Sequence, residues 1–310
     1  MTNMRSFVYL FVLTLSACAT TEHRPRTLYL QNIETDPTIT SQLFPSGEVL
    51  RVATLNIAHG RKDSPNQLMN GEQTFRNNLD DVAAVLRDKK PHVVALQEAD
   101  AVSTWSGKFD HVAYLAGKAG YPWRVHAINA DSWLYSYGTA LLTGLPISES
   151  IKHTFEPSPP TLNKGFVLAS IEWKPGHEIE SRTIDFISVH LDFSRKAVRE
   201  QQIDEMIELL LSRNNPTIIL GDFNSEWFTE ASVIKELMQK SRFTAYKPDA
   251  PGYNTYKDMR LDWILISNNL EFVSYNALPD VLSDHAMIVA EIRFKPAVDS
   301  ESEEVANDFE

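Results

Sequence analysis

Short apolar runs punctuate this chain, and several of them begin or end at a polar residue of a particular kind. Val93-Val94-Ala95-Leu96 leads to Glu98, Phe186-Ile187-Ser188-Val189 to His190, and Thr217-Ile218-Ile219-Leu220-Gly221 to Asp222-Phe223-Asn224. Asp262 instead precedes Trp263-Ile264-Leu265-Ile266, and Ser283-Asp284-His285 precedes Ala286-Met287-Ile288-Val289-Ala290. Runs of this length, bounded by polar residues, predict buried strands. If the last two run antiparallel to the first three, strand starts and strand ends meet at one rim. Val52-Ala53-Thr54-Leu55-Asn56-Ile57 predicts a further strand that delivers Asn56 to the same place.

Between the strands the period changes. Phe75, Leu79, Val82 and Leu86 fall at helical spacing, with Thr74 as the expected N-cap and Pro91 beyond the end, and Val112, Leu115, Ala116 and Ala119 predict a second helix closed by Gly120. Gly138 to Thr143 reads as a strand. Phe166 to Trp173 and Thr183 to His190 read as paired strands around Lys174-Pro175-Gly176. Ile203, Met206, Ile207 and Leu210 mark an amphipathic helix before the Asp222 strand, and another spans about Ala231 to Lys240. Hairpins mixed with strand-helix-strand units argue against a purely parallel sheet and for two packed sheets with helices outside, an α/β class.

Length and composition sharpen this picture. At 310 residues and 43% hydrophobic content one large α/β domain is the simpler reading, and no repeat or low-complexity linker interrupts residues 50–295. The formal charge of -12 owes much to the tail, where Asp299, Glu301, Glu303, Glu304, Asp308 and Glu310 lie. An acidic chain without a long basic stripe disfavours nucleic acid as partner. Even so, Arg61, Lys62, Arg195, Lys196, Lys257 and Arg260 flank the expected rim and keep a phosphate-bearing ligand open. The N-terminus resembles a secretory signal, with Arg5 before the apolar stretch Phe7 to Leu15, and Leu15-Ser16-Ala17-Cys18 resembles a bacterial lipobox. Cys18 is the only cysteine, which suits lipidation better than a disulfide. The expected organisation is therefore a signal peptide at 1–17, a lipidated tether at 18–47, a catalytic domain at 48–295 and an acidic tail at 296–310. By resemblance to sorting patterns, Ala19 after Cys18 favours the outer membrane of an exported, membrane-anchored protein, expected to be a monomer.

The polar tips suit phosphoester hydrolysis, which needs negative charge neutralised, a water deprotonated and a leaving oxygen stabilised. Glu98 is a hard oxygen donor for magnesium, or alternatively manganese, with Asn56 and Asp284 able to add oxygen ligands; without thiolates or a His-Glu-x-x-His spacing, zinc fits less well. His285 is the natural general base and Asp262 its orienting partner. His190 and Asn224 can donate hydrogen bonds to phosphoryl oxygens, and Asp222 can position water or handle the leaving group's proton. His59, just after Asn56, is a candidate substrate contact, while Trp105 and Trp133 are expected to be exposed.

Thr54-Leu55-Asn56-Ile57, Gln97-Glu98, His190-Leu191, Gly221-Asp222-Phe223-Asn224, Leu261-Asp262-Trp263-Ile264 and Ser283-Asp284-His285, in this order, resemble the motif series of the endonuclease/exonuclease/phosphatase superfamily. The stretches Tyr137 to Thr143 and Lys164-Gly165-Phe166 resemble its intervening strands, so the likeness spans roughly residues 50 to 294. The resemblance implies a four-layered α/β sandwich of the DNase I-like type, a divalent cation at Glu98, and His285 paired with Asp262 across the edge from His190. It leaves the role of Asp222 and the substrate open. A phosphodiester is the leading expectation; an exported nuclease acting on DNA or RNA and a non-catalytic phospho-ligand binding module are the alternatives.

Overall fold

A computed structural model describes residues 25–28, 31–32, 44, 47–176, 180–230 and 232–296. The strands are β1 (Arg26–Thr27), β2 (Gln31–Asn32), β3 (Leu50–Asn56), β4 (Val93–Asp100), β5 (Trp123–Asp131), β6 (Ser136–Thr143), β7 (Ile147–Thr154), β8 (Gly165–Trp173), β9 (Arg182–His190), β10 (Thr217–Asp222), β11 (Phe243–Ala245), β12 (Asp262–Ser267), β13 (Leu270–Ala277) and β14 (Ile288–Phe294). The helices are α1 (Glu72–Lys89), α2 (His111–Ala119), α3 (Lys196–Leu211) and α4 (Val233–Lys240). One sheet has the order β1-β7-β8-β9-β10-β12-β11, the other β13-β14-β3-β4-β6-β5-β2. Within each, a central parallel pair, β9 with β10 and β3 with β4, is flanked by antiparallel strands.

Both faces of the central strands are apolar, which is why they read as continuous runs rather than alternating ones. Val52, Val93, Ala95, Phe186, Ile218, Leu220 and Ile264 meet between the sheets. Their neighbours turn outward: Leu55, Val94 and Leu96 pack under α1 and α2 with Leu79 and Leu115, while Ile187, Ile219 and Leu265 pack under α3 and α4 with Ile203 and Leu237. Three apolar layers between four tiers of elements make the expected sandwich of two mixed, mostly antiparallel sheets with helices outside.

The differences from expectation have local causes. Helix α1 starts at Glu72 with Gly71, not Thr74, as its N-cap, and Glu72 both suits the positive helix end and pairs with Arg76. Strands β5, β7 and β13 lie at or next to sheet edges and keep polar outward faces, so no apolar run announced them. The tether expected up to residue 47 is revised: β1 pairs with β7 (Arg26 opposite Lys152), β2 pairs with β5 (Gln31 opposite Arg124), and Phe44 is buried with its ring centroid 4.9 Å from that of Tyr121. Two-residue strands have no period to read. The signal peptide, Cys18 and the tail beyond residue 296 lie outside the described residues.

The β9–β10 pair depends on one glycine. Gly221 sits opposite Val189 with φ 148°, and a Cβ there would lie 2.0 Å from the Val189 carbonyl oxygen. Gly221→Ala is therefore expected to destabilise the fold by about 2–3 kcal/mol, since backbone on both sides must shift. Urea unfolding measures this; a loss below about 0.5 kcal/mol would show that the strands separate freely.

Candidate active site

Strand alternation builds the site. Along β9 the inward series Ile184 and Phe186 continues to Ser188 and His190; along β10, Ile218 and Leu220 continue to Asp222; and along β12, read backwards, Ile266 and Ile264 continue to Asp262. In the facing sheet Leu50 and Val52 continue to Thr54 and Asn56. At one edge, then, the inter-sheet core changes from apolar to polar within two rungs. Thr54 Oγ1 donates to Gln97 Oε1 at 3.3 Å, and Gln97 Nε2 donates to Ser188 Oγ at 3.0 Å, tying the sheets together beneath the site.

Glu98 arrives differently. An unbroken pleat would place Gln97 on the inner face after Val93 and Ala95 and turn Glu98 toward the helices. The β4–β6 register shifts between Leu96 and Ala99, and Glu98 takes a φ of 49°. This bulge aims the carboxylate into the site cavity, and β4 runs on to Asp100 rather than ending before Glu98. Burial pushes the Glu98 carboxyl up, but the positive charges of His59, Lys164 and His285 around it outweigh burial and hold it at about 2. His59 Nε2 lies 3.4 Å from Glu98, and its Nδ1 lies 2.8 Å from Asp100, which also accepts from Trp105 Nε1 at 2.7 Å. Burial lowers His59's proton affinity, but Glu98 and Asp100 raise it by more. His59 thus stands beside Glu98, and Trp105, expected in solvent, is half-buried holding Asp100; Trp133 is 77% exposed.

Across the cavity, His285 Nδ1 lies 2.7 Å from Asp262 Oδ2, and His285 Nε2 lies 3.9 Å from Asp222 Oδ2. Burial disfavours the imidazolium, yet Asp262, with Asp222 and Asp284 behind it, raises the group to about 10. Asp222 accepts from Asn56 Nδ2 at 3.0 Å and lies 3.5 Å from His190 Nε2. Burial and the neighbouring Asp262 push its carboxyl up to about 7, against the pull of His285, Asn56 and the Asn224 amide. Burial and the adjacent Lys164 ammonium keep His190 well below the usual imidazole range, hence neutral.

The other expected residues also reach this edge. Asn224 lines the cavity, its backbone N–H donating to Asp222 Oδ1 and its Nδ2 to the Leu191 carbonyl. Asn56 Oδ1 accepts from the Ala58 amide, and the Asp284 carboxylate is paired with Arg61. Among the flanking cations, only Arg61 lines the cavity; Lys62, Arg195 and Lys196 pair with Asp81, Asp192 and Glu200, and Arg260 is buried 3.9 Å from the Trp263 ring centroid. Sequence reasoning missed two cations, Lys164 and Arg199, which line the same cavity of about 500 Å³. Lys164 Nζ lies 2.9 Å from His190 Nε2 and 4.0 Å from Glu98. Arg199 falls four residues before Ile203, on the buried stripe of α3, and a charge on an apolar stripe was the signal available.

The donor set fits a hard divalent cation. Glu98 is ionised, faces the cavity and accepts no hydrogen bond among the described residues. Asp222, Asp262 and His285 also offer ligand atoms within 4.8 Å of one another. That cluster is largely engaged with itself and with Asn56, leaving Asp262 Oδ1 as its partnerless oxygen. Glu98 is the more open donor.

The model of the endonuclease/exonuclease/phosphatase family matches residues 53–285, and the chain belongs to that family. No curated relative matches. Among solved structures, an endonuclease/exonuclease/phosphatase from Beutenbergia cavernae is 17% identical, with a TM-score of 0.63 over 81% of this chain and 72% of that one. The human Nocturnin catalytic domain with bound sulfate is 19% identical, with a TM-score of 0.61 over 81% and 96%. A mannosyl-6-phosphatase of Bacteroides thetaiotaomicron is 16% identical, with a TM-score of 0.58 over 79% and 100%. At these identities the likeness is one of fold, the DNase I-like sandwich.

Proposed function

We propose that this protein hydrolyses a phosphodiester with the help of a magnesium-type ion, manganese being the alternative, held by Glu98. The observation that carries the reading is that one cavity contains both a histidine–carboxylate pair and a second carboxylate, Glu98, that faces the open space and is flanked by His59 and Lys164. A divalent cation at Glu98 would act as a Lewis acid on the phosphoryl oxygens and, through the Coulomb coupling between Glu98 and His285, ease the loss of the His285 proton. His285 Nε2 then takes the proton of the attacking water, while Asp262 fixes the proton on Nδ1. Neutral His190 and the Asn224 amide offer N–H groups to the phosphoryl oxygens. Asp222, near 7, is fit to exchange a proton with water or with the leaving oxygen.

Support for a small phosphoester over a polynucleotide comes from the surface cations, which are spent on neighbouring carboxylates rather than set in a stripe. The family generally hydrolyses phosphoesters, and the neighbours named above include a phosphatase. A panel of small phosphodiesters, phosphomonoesters, DNA and RNA tests the choice. Turnover on the diesters with little salt dependence is expected; cleavage confined to polynucleotides, falling steeply with salt, would establish the nuclease alternative, and binding without turnover the binding module.

Envelope anchoring through lipidated Cys18 belongs to the same proposal. Among the described residues no helix is long and apolar enough to cross a membrane. Cys18→Ala is expected to move the protein from the membrane to the soluble fraction with its turnover intact. Retention of the variant on membranes would contradict the anchor.

A further inference from the structure

Among the described residues Arg199 is the one cavity-lining cation that forms no ion pair; the carboxylates of Asp192 and Glu200 favour its charge from a distance but do not outweigh its burial. Arg61 is paired with Asp284, and Lys164 lies 4.0 Å from Glu98. Arg199 is only 9% exposed. Among the described residues its guanidinium makes a single hydrogen bond, from Nη1 to the Asp192 carbonyl at 3.0 Å, and its Nε is buried without a partner. Glu226 lines the same cavity but forms no ion pair with it. Arginine cannot shed its charge to escape this cost, as a buried lysine or histidine can. A buried guanidinium with unused donors needs an anion, and its planar fork suits the two oxygens of a phosphate or carboxylate.

We propose that Arg199 forms an anion subsite for a second oxyanion carried by the substrate, so that the preferred substrates are small phosphoesters bearing two anionic groups. This rests on the phosphoester-hydrolase reading and adds the substrate class to it. The scissile phosphoryl group is served by Glu98, His190, Asn224 and His285, where β4, β9, β10 and the segment before β14 meet. Arg199 enters from the first turn of α3 and is bonded to the Asp192 carbonyl, and the next residue, Phe193, 65% exposed, lines the cavity as well. The second anion therefore belongs on the arm of the ester directed toward α3.

The full-length protein can be assayed on three p-nitrophenyl phosphodiesters whose second ester arm is ethyl, carboxyethyl or phosphoethyl. The wild type is expected to prefer the anionic arms over ethyl by at least about ten-fold in kcat/KM. Arg199→Gln should collapse that ratio, and Arg199→Lys restore part of it, mainly through KM. The better of the two anionic arms tells which oxyanion the subsite takes. Equal kcat/KM on all three esters in the wild type, or a uniform loss on all three in Arg199→Gln, overturns the proposal. Should no ester be turned over at all, calorimetry with inorganic pyrophosphate still decides: about ten-fold weaker binding to Arg199→Gln than to wild type supports the subsite, and equal binding overturns it.

Discussion

His285→Ala is expected to lower kcat/KM by about 1,000- to 10,000-fold, the range for removing a positioned general base and its orienting contact together. His285 lies 2.7 Å from Asp262 and reaches the cavity with its second nitrogen, so no other group on that wall replaces it. Asp222 is the nearest substitute, but without the imidazole it faces Asp262 with no intervening positive charge, and its carboxyl should climb further above its present value of about 7. A protonated Asp222 is a poor base. Steady-state kinetics with circular dichroism as a control on folding measures the effect. A loss smaller than about ten-fold in a folded variant would remove His285 from the chemistry.

Glu98→Gln should cost about 1,000-fold in turnover at fixed magnesium and raise the magnesium concentration for half-activation by ten-fold or more. The substitution keeps the shape and removes only the charge. It also leaves His59 and Lys164 without the carboxylate between them, so the local field turns positive where a cation is required. His59, whose proton affinity is raised by Glu98, is expected to lose part of that rise. If activation by magnesium proceeds at the wild-type concentration in Glu98→Gln, the cation is held elsewhere, with Asp222, Asp262 and His285 the next candidates.

The rim was legible because strand direction and residue chemistry are correlated. His190 and Asp222 at parallel strand ends and Asp262 at an antiparallel strand start must share an edge once those strands pair, and the apolar runs showed which residues were strand. Glu98 reached the same edge by a route the runs hid, since a regular pleat would have turned it outward and only the bulge with φ 49° brings it in. Lys164 was noticed only as the start of a strand, because one lysine before an apolar run looks like solvated punctuation until β8 pairs with β9 and sets Gly165 opposite His190. The exposed-looking cations around the motifs gave the opposite error. Lys62 finds Asp81 on α1, nineteen residues on, while Arg195 and Lys196 pair with Asp192 and Glu200 three and four residues away, contacts that form only once the Asp192 turn and α3 are in place.

Cation-dependent phosphoester hydrolysis by these side chains is measured most directly as the rate of p-nitrophenol release from bis(p-nitrophenyl) phosphate by the purified protein as magnesium is removed and restored. Turnover that vanishes with chelator and returns with magnesium is the predicted result. Turnover that persists undiminished in chelator, or none at any magnesium or manganese concentration, would contradict it.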